Sequence, residues 1–161
     1  MLIVDIIVLW IHIFCAIIFV GGSFFMWLVL WPASFKVTQD ERERTLMVGR
    51  VAKRFAYFTH VTIATLVVTG IYNATWYLGG NYDLLATEGG RILLAKVILV
   101  GIMIFVIYFN NIYHGRKITR LAREGKIQEV QRIRRYTHVM SYFSLALMVA
   151  IIFLATSLQF F

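Results

Sequence analysis

Apolar residues are arranged along the chain in four long stretches, separated by shorter polar segments. The stretches cover about residues 6–31, 55–77, 92–113 and 136–160, and the first contains no charged residue. A helix needs about 20 apolar residues to cross the hydrocarbon core of a bilayer, and each stretch is long enough. Because the first stretch has neither a basic leader nor a small-residue cleavage site, we expect it to be retained. The pattern predicts four transmembrane helices.

The composition is typical of a membrane protein. Hydrophobic residues make up 60% of the 161 residues and charged residues 15%, with one proline. Soluble domains are about 45–50% apolar and about 25% charged. Since no Pro- or Ser-rich linker interrupts the chain, we expect one domain over residues 1–161. The predicted fold is an all-α integral membrane four-helix bundle with up-down-up-down topology.

Basic residues are concentrated in two of the connections. The chain has 16 Lys and Arg against 8 Asp and Glu, a net charge of +8. Fourteen of the 16 lie between the first two stretches or between the last two. By the positive-inside rule, both connections are cytoplasmic and both termini lie outside. The charge predicts a multi-pass protein of the cell (plasma or inner) membrane that rests on anionic lipid, and it does not indicate nucleic-acid binding.

Local signals define the ends of the helices. Thr38-Gln39-Asp40-Glu41 reads as a capping box and predicts a helix that begins there and continues into the second stretch. The third helix meets no breaker before Gly125, so we expect it to continue to about Glu124. Residues 78–91 contain two Gly-Gly pairs, Asn81 and Asp83, which predict the outer loop.

Each apolar stretch holds or adjoins one histidine: His12, His60, His114 and His138. Ionisable side chains at membrane depth usually face the bundle interior or a cofactor. The second and fourth stretches begin alike, with Thr59-His60-Val61 and Thr137-His138-Val139. This similarity predicts two hairpins related by a pseudo-two-fold axis along the membrane normal. His60 and His138 are then expected at one height, facing each other.

Two facing imidazoles suit a haem. Histidine is a common axial ligand of haem iron, which predicts haem b and a role in redox chemistry or electron transfer. Quinone is a candidate redox partner, and oxidoreductase activity stays an open question. His114 and Lys96 are further candidate cofactor-binding residues. Lys96 either extends to the outer surface or turns inward toward a ligand carboxylate or a haem propionate.

A second set of residues suits copper. His12, Cys15 and Met26 share one face of the first helix, and Met103 lies on an inward-capable stripe of the third. Imidazole, thiol and thioether are ligands that favour Cu(I). The copper alternative therefore assigns the metal to His12, Cys15, Met26 and Met103.

Three motifs resemble a known family. They are His12…Phe19-Val20-Gly21-Gly22…Trp31-Pro32, then Val68-Thr69-Gly70-Ile71-Tyr72, and Gly90-Arg91-Ile92-Leu93-Leu94-Ala95-Lys96. They look like motifs of the copper resistance protein D (CopD) family and imply a stand-alone copper-handling membrane module. The chain more distantly resembles the four-helix membrane protoporphyrinogen oxidases of bacteria (HemJ type), which implies haem b at His12. The arginine-rich signature of that second family is missing, since Trp31-Pro32-Ala33-Ser34 stands in its place.

Three functional hypotheses stay open. The first is a haem-b redox protein, the second a copper-binding or copper-transporting protein, and the third a structural membrane subunit without a cofactor. An oligomer is compatible with each. The sequence has no catalytic triad, phosphate loop or zinc-spaced Cys/His cluster, so hydrolase and nucleotide-binding functions have no support.

Overall fold

The computed structural model describes residues 2–78 and 84–160, and within them the chain forms four long helices. They are α1 (Leu2–Val37), α2 (Glu41–Leu78), α3 (Glu88–Arg123) and α4 (Ile127–Ser157). A short 3₁₀ turn, Leu158–Phe160, follows α4. All four helices are long and apolar enough to cross a membrane, which confirms the all-α prediction and the four spans. Gly79, Gly80, Asn81 and Asp83 of the predicted outer loop lie outside the described residues.

The helices extend beyond the predicted apolar stretches, most of all where the two basic connections lie. α2 begins at Glu41, as the capping signal predicts, and the Asp40 carboxylate accepts the backbone N–H of Arg42 at 2.8 Å. The Thr38 hydroxyl, however, donates to Glu43 at 2.6 Å. The predicted capping box is therefore not formed by Glu41, because that carboxylate binds Arg134 of α4 instead.

A glycine turn joins α3 to α4. α3 ends at Arg123, close to the predicted end, and Gly125 has a φ of 75°. This left-handed conformation favours glycine, and it lets the backbone N–H of Lys126 donate to the Leu121 carbonyl at 3.0 Å. The Lys126 ammonium, 3.0 Å from the exposed Glu124 carboxylate, lowers the pKa of that carboxyl below its ordinary value. The turn makes α3 and α4 antiparallel neighbours.

Two helices contain wider π-helical turns. In α1, residues Met26–Leu30 form such a turn directly before Pro32, which stands inside the helix. Proline has no N–H to donate, and its ring collides with the carbonyl four residues earlier, so a local widening accommodates it. In α3, residues Asn110–Gly115 form the second wide turn. Both turns lie toward the half of the bundle that carries the basic connections.

The helices pack as two hairpins. α1 packs mainly against α2, and α3 against α4, whereas α2 and α4 are diagonal to each other. Phe19, Ile63, Met103, Leu145, Leu147 and Met148 form the buried core between them. We call the end with the basic connections the basic end and the opposite end, with both chain termini, the terminal end. Outward-facing apolar side chains such as Phe105 and Phe153 are 68–69% exposed, as expected for contact with lipid.

Glycine allows α1 and α2 to approach closely. A Cβ added at Gly22 would overlap the ring of Phe55 on α2, whereas one added at the adjacent Gly21 would meet nothing within 4 Å. Small residues at such positions let membrane helices pack backbone to side chain. Gly22 therefore fixes the distance between these helices at mid-bundle.

Candidate functional site

In the terminal half of the bundle, His12 on α1 is bound to α2. Its Nδ1 lies 2.8 Å from the hydroxyl of Thr69, and its Cε1 would lie 3.3 Å from a Cβ added at Gly70. The first sequence motif and the Val-Thr-Gly motif of the second stretch thus meet in one contact. A Cβ at Gly70 would press on this ring, so the glycine lets the imidazole lie this close to α2.

The hydrogen bonds of Thr69 identify the protonated nitrogen of His12. The Thr69 hydroxyl has one proton, which it donates to the Thr65 carbonyl at 2.6 Å. It must therefore accept a proton from His12, so Nδ1 is the N–H nitrogen. In a neutral imidazole, Nε2 then carries the lone pair that a ligand or metal would use.

Polar groups surround this contact toward the terminal end. Tyr72, three residues after Thr69, donates its hydroxyl to the Asp5 carboxylate at 2.7 Å. Lys96 of α3 is half-buried and lies within electrostatic reach of His12. Among the described residues, no carboxylate lies within ion-pairing distance of Lys96. His12 and Lys96, which the sequence placed on separate helices, thus belong to one region.

The basic half of the bundle has a half-open cavity of about 1090 Å³ lined by all four helices. Its lining includes two of the four histidines, His60 and His138, together with Met26 of α1 and Met148 of α4. Ligand pockets typically measure about 300–1,000 Å³, so the space suits a substantial ligand. His60 and His138 line this one cavity at different depths, since His138 packs on Trp27 and Trp31 near the basic end and His60 is one helical turn from Ile63 of the buried core. The predicted pair of histidines facing each other at one height is therefore not formed.

Each of these histidines is oriented by aromatic neighbours. The Nδ1 of His60 lies 3.0 Å from the hydroxyl of Tyr108 on α3, with the two rings stacked at 5.1 Å. His138 lies edge-on to both Trp27 and Trp31, with ring centroids 4.9 Å apart in each pair. Aromatic packing of this kind restricts the ring orientation. Of these three aromatic partners, Trp31 stands in the first sequence motif, but none was predicted to contact a histidine, although Trp27 and Trp31 have the four-residue spacing of one helical face.

An arginine closes the cavity near the basic end. Arg134 of α4 forms an ion pair with Glu41 and a hydrogen bond with Thr45, both on α2. Its guanidinium also lies 5.0 Å from the Trp31 ring centroid, a cation–π contact. The contact joins the diagonal helices α2 and α4 and continues through Trp31 to His138. Sequence reasoning counted Arg134 only as a loop charge.

The remaining candidates lie outside this arrangement. His114 is half-buried in the wide turn of α3, packs against Phe109 and Tyr113, and does not line the cavity. Its Nδ1 is buried without a hydrogen-bond partner. Met103 lies in the core, and Cys15 is a half-buried free thiol on α1. Along α1, Met26 lies about 20 Å beyond His12, so those two residues cannot hold the same ion.

The described residues show no conventional metal site made of several His, Cys, Asp or Glu ligands. No group of three or more His, Cys, Asp or Glu side chains arranged to hold a metal ion occurs among the described residues. Methionine thioethers can, however, bind Cu(I), and they bring Met26 into consideration beside the two cavity histidines. The cavity is therefore the place that candidate Cu(I) ligands from different helices line together.

Comparison with known proteins identifies the family. The family model described as copper resistance protein D matches residues 49–158, which include most of α2, all of α3 and all of α4. No curated protein and no solved structure gave a match. The motif on α1 lies outside the matched range, and the resemblance to the protoporphyrinogen oxidases is not shown. Because the match covers more than half of the sequence, the chain belongs to the CopD family and is a multi-pass membrane protein.

Proposed function

We propose that the protein binds Cu(I) as cargo at two positions along the cavity, one at Met26 and His138 and a second, nearer the terminal end, at His60 and Met148. The observation that carries this proposal is that two imidazoles and two thioethers, from three helices, line a single cavity. Imidazole and thioether are donors suited to Cu(I), and membership of the CopD family favours copper over other metals. A role in copper resistance follows from the same family relationship.

The histidines have the environment that a ligand needs. A metal-bound histidine usually has its second ring nitrogen held by a hydrogen-bond partner, and Tyr108 supplies one at Nδ1 of His60. His138 is fixed in orientation by two tryptophans. Trp27, which contacts His138, directly follows Met26, so the thioether and the imidazole lie at similar depth.

Soft donors continue from the cavity toward the terminal end. Met148 lies about 15 Å along α4 from His138 and so cannot share the same ion. Met148 and Met103 belong to one buried core cluster. His12 and Cys15 lie farther toward the terminal end on α1. We infer that these residues are successive positions on a copper path and not ligands of one ion.

The positive charge at the basic end also favours passage of the free ion through the terminal end. Arg50, Lys53, Arg116, Arg120, Arg123 and Arg134 line the cavity near the basic end. Their positive charge repels a free monovalent cation that enters from that side. The copper proposal therefore places entry or exit of the free ion on the terminal side, by way of Met103 and Met148.

The haem-b expectation depends on the same two histidines. Neither the family match nor a coordinated pair of imidazoles among the described residues supports it, since His60 engages Tyr108 and His138 packs between two tryptophans. Copper is the better-supported cofactor. The redox and electron-transfer roles that followed from haem are not part of this proposal.

The test is a Cu(I) titration of the purified full chain in detergent, under reducing conditions, against a chromophoric Cu(I) chelator. We expect up to two bound Cu(I), of which one binds at least tenfold more weakly in Met26→Leu and in His138→Ala, and the other in His60→Ala. Met140→Leu and His114→Ala are matched controls outside the cavity and should bind like the unmodified protein. A chain that does not compete with the chelator contradicts the proposal. A Soret band in the purified protein would support the haem-b hypothesis instead.

A further inference from the structure

The cavity changes in polarity along its length. Its cationic side chains and His138 lie toward the basic end, whereas His60 lies toward the far end, which Phe19, Leu145 and Met148 make apolar. Among the described lining residues there is no Asp or Glu. A positively charged entrance followed by an apolar interior is complementary to a molecule with an anionic head and a hydrocarbon tail.

Most of the cationic side chains lack an internal counter-charge. Arg134 pairs with Glu41, and Arg120 lies 3.8 Å from Glu124. Four others, Arg50, Lys53, Arg116 and Arg123, form no ion pair with any described carboxylate. Cations gathered around one opening repel each other, and a bound anion relieves that repulsion. A copper ion, which is itself a cation, does not relieve this repulsion.

The length of the cavity matches that of a lipid. The lining of α2 runs from Thr45 to His60, and that of α4 from Arg134 to Met148. At 1.5 Å per residue, both spans measure about 20 Å. One leaflet of a bilayer, with its headgroup region, is also about 20 Å thick. A free inorganic anion would use only the entrance and leave the apolar part without a function.

We propose that the cavity binds one anionic phospholipid, taken from the leaflet at the basic end. The phosphate lies among Arg50, Lys53 and Arg116, which come from facing segments of α2 and α3. An acyl chain extends along Phe19, Ile107 and Leu145 toward the core. This lipid site goes beyond the copper proposal and does not depend on it, since its main contacts are guanidinium, ammonium and hydrocarbon groups.

The experiment compares lipids on the full chain in a neutral detergent. Native mass spectrometry or a spin-labelled lipid reports binding of dioleoylphosphatidylglycerol and of dioleoylphosphatidylcholine, which have identical acyl chains. We expect at least tenfold tighter binding of phosphatidylglycerol, with a preference that weakens as salt is raised. This comparison requires no variant. Equal binding of the two lipids would overturn the proposal.

Matched variants then locate the site. The triple variant Arg50→Gln/Lys53→Gln/Arg116→Gln should lose the preference about tenfold or more. The control triple variant Lys36→Gln/Arg132→Gln/Arg135→Gln removes the same charge from exposed residues outside the cavity and should keep it. Equal loss in both variants would mean that general surface charge, and not the cavity, selects the lipid. Complete displacement of phosphatidylglycerol by millimolar inorganic phosphate would assign the entrance to a free anion and reject the lipid.

Discussion

The imidazole of His12 donates from Nδ1 to the hydroxyl of Thr69, 2.8 Å away, and so binds α1 to α2 in the terminal half of the bundle. The bond joins a residue of the first helix, outside the range matched by the CopD family, to one inside that range. It also leaves Nε2 as the nitrogen with the lone pair. The position of α1 relative to the part matched by the family is therefore fixed partly by an ionisable side chain.

Removing the Thr69 hydroxyl tests this contact. Thr69→Val keeps the shape of the side chain but removes the hydroxyl that accepts the His12 N–H, so we expect a loss of about 0.5–2 kcal/mol in stability. Thr65→Val is the matched control, because the Thr65 hydroxyl bonds only to its own helix, at the Val61 carbonyl. Unfolding in mixed detergents measures both. Equal destabilisation by the two substitutions would show that the bond to His12 contributes nothing specific.

Two adjacent glycines of α1 should respond very differently to alanine. Gly22→Ala forces the Phe55 ring out of its position, which we expect to cost about 1–3 kcal/mol in unfolding free energy. Gly21→Ala meets nothing and should be neutral or slightly stabilising, because alanine favours helix. Adding Phe55→Leu to Gly22→Ala should recover part of the loss. If Gly21→Ala proves as harmful as Gly22→Ala, α1 does not pack on α2 through Gly22.

The Arg134–Glu41 pair should stabilise the basic end. Arg134→Gln leaves Glu41 with the Gln131 amide, at 2.7 Å, and the longer contact to Arg44, at 3.6 Å, and it removes the cation from Trp31. Because the two side chains are only 12% and 20% exposed, we expect a loss of about 2 kcal/mol or more. The neighbouring Arg135→Gln removes the same charge at an exposed position and should be close to neutral. Thermal unfolding followed by circular dichroism distinguishes the two variants.

Tyr108 should act as a positioning residue for His60. Tyr108→Phe keeps the stacked ring but removes the hydroxyl at Nδ1, and loss of such a partner typically weakens metal binding about 10–100-fold. Tyr113→Phe, on the same helix, removes a hydroxyl from an exposed ring and should leave Cu(I) affinity unchanged. The chelator competition measures both. Unchanged Cu(I) affinity in Tyr108→Phe, with the fold intact, would show that Tyr108 does not position His60 for copper binding.

Most of the fold could be predicted from the order of apolar and polar residues. The four spans, the continuation of α3 to Arg123 and the start of α2 at Glu41 follow from local signals: hydrophobicity, a glycine and a capping sequence. The π-helical turn before Pro32 and the pairing of Glu41 with Arg134 could not be predicted in the same way. Both depend on how the helices meet, and a loop charge gives no indication of its partner 93 residues away. The cytoplasmic location of the basic connections stays a prediction.

The candidate site was predictable in part. The repeated Thr-His-Val sequence led to His60 and His138, and both line one cavity. The aromatic partners of these histidines were not found, because aromatic residues are abundant in this chain and their contacts depend on helix rotation. The proposed copper set of His12, Cys15, Met26 and Met103 shared helix faces, but helical rise separates its members. The periodicity of a sequence indicates on which face of a helix a residue lies, but it does not show how far apart two residues lie along the helix.

The most direct test of the copper site is X-ray absorption at the copper edge on the Cu(I)-loaded full chain. The account predicts a first shell with both nitrogen and sulfur, in which the sulfur contribution falls in Met26→Leu and is kept in Met140→Leu. The nitrogen contribution should fall in His60→Ala and in His138→Ala. A shell of nitrogen and oxygen alone in the unmodified protein, or a sulfur contribution that is unchanged in Met26→Leu, would contradict a copper position at Met26 and His138.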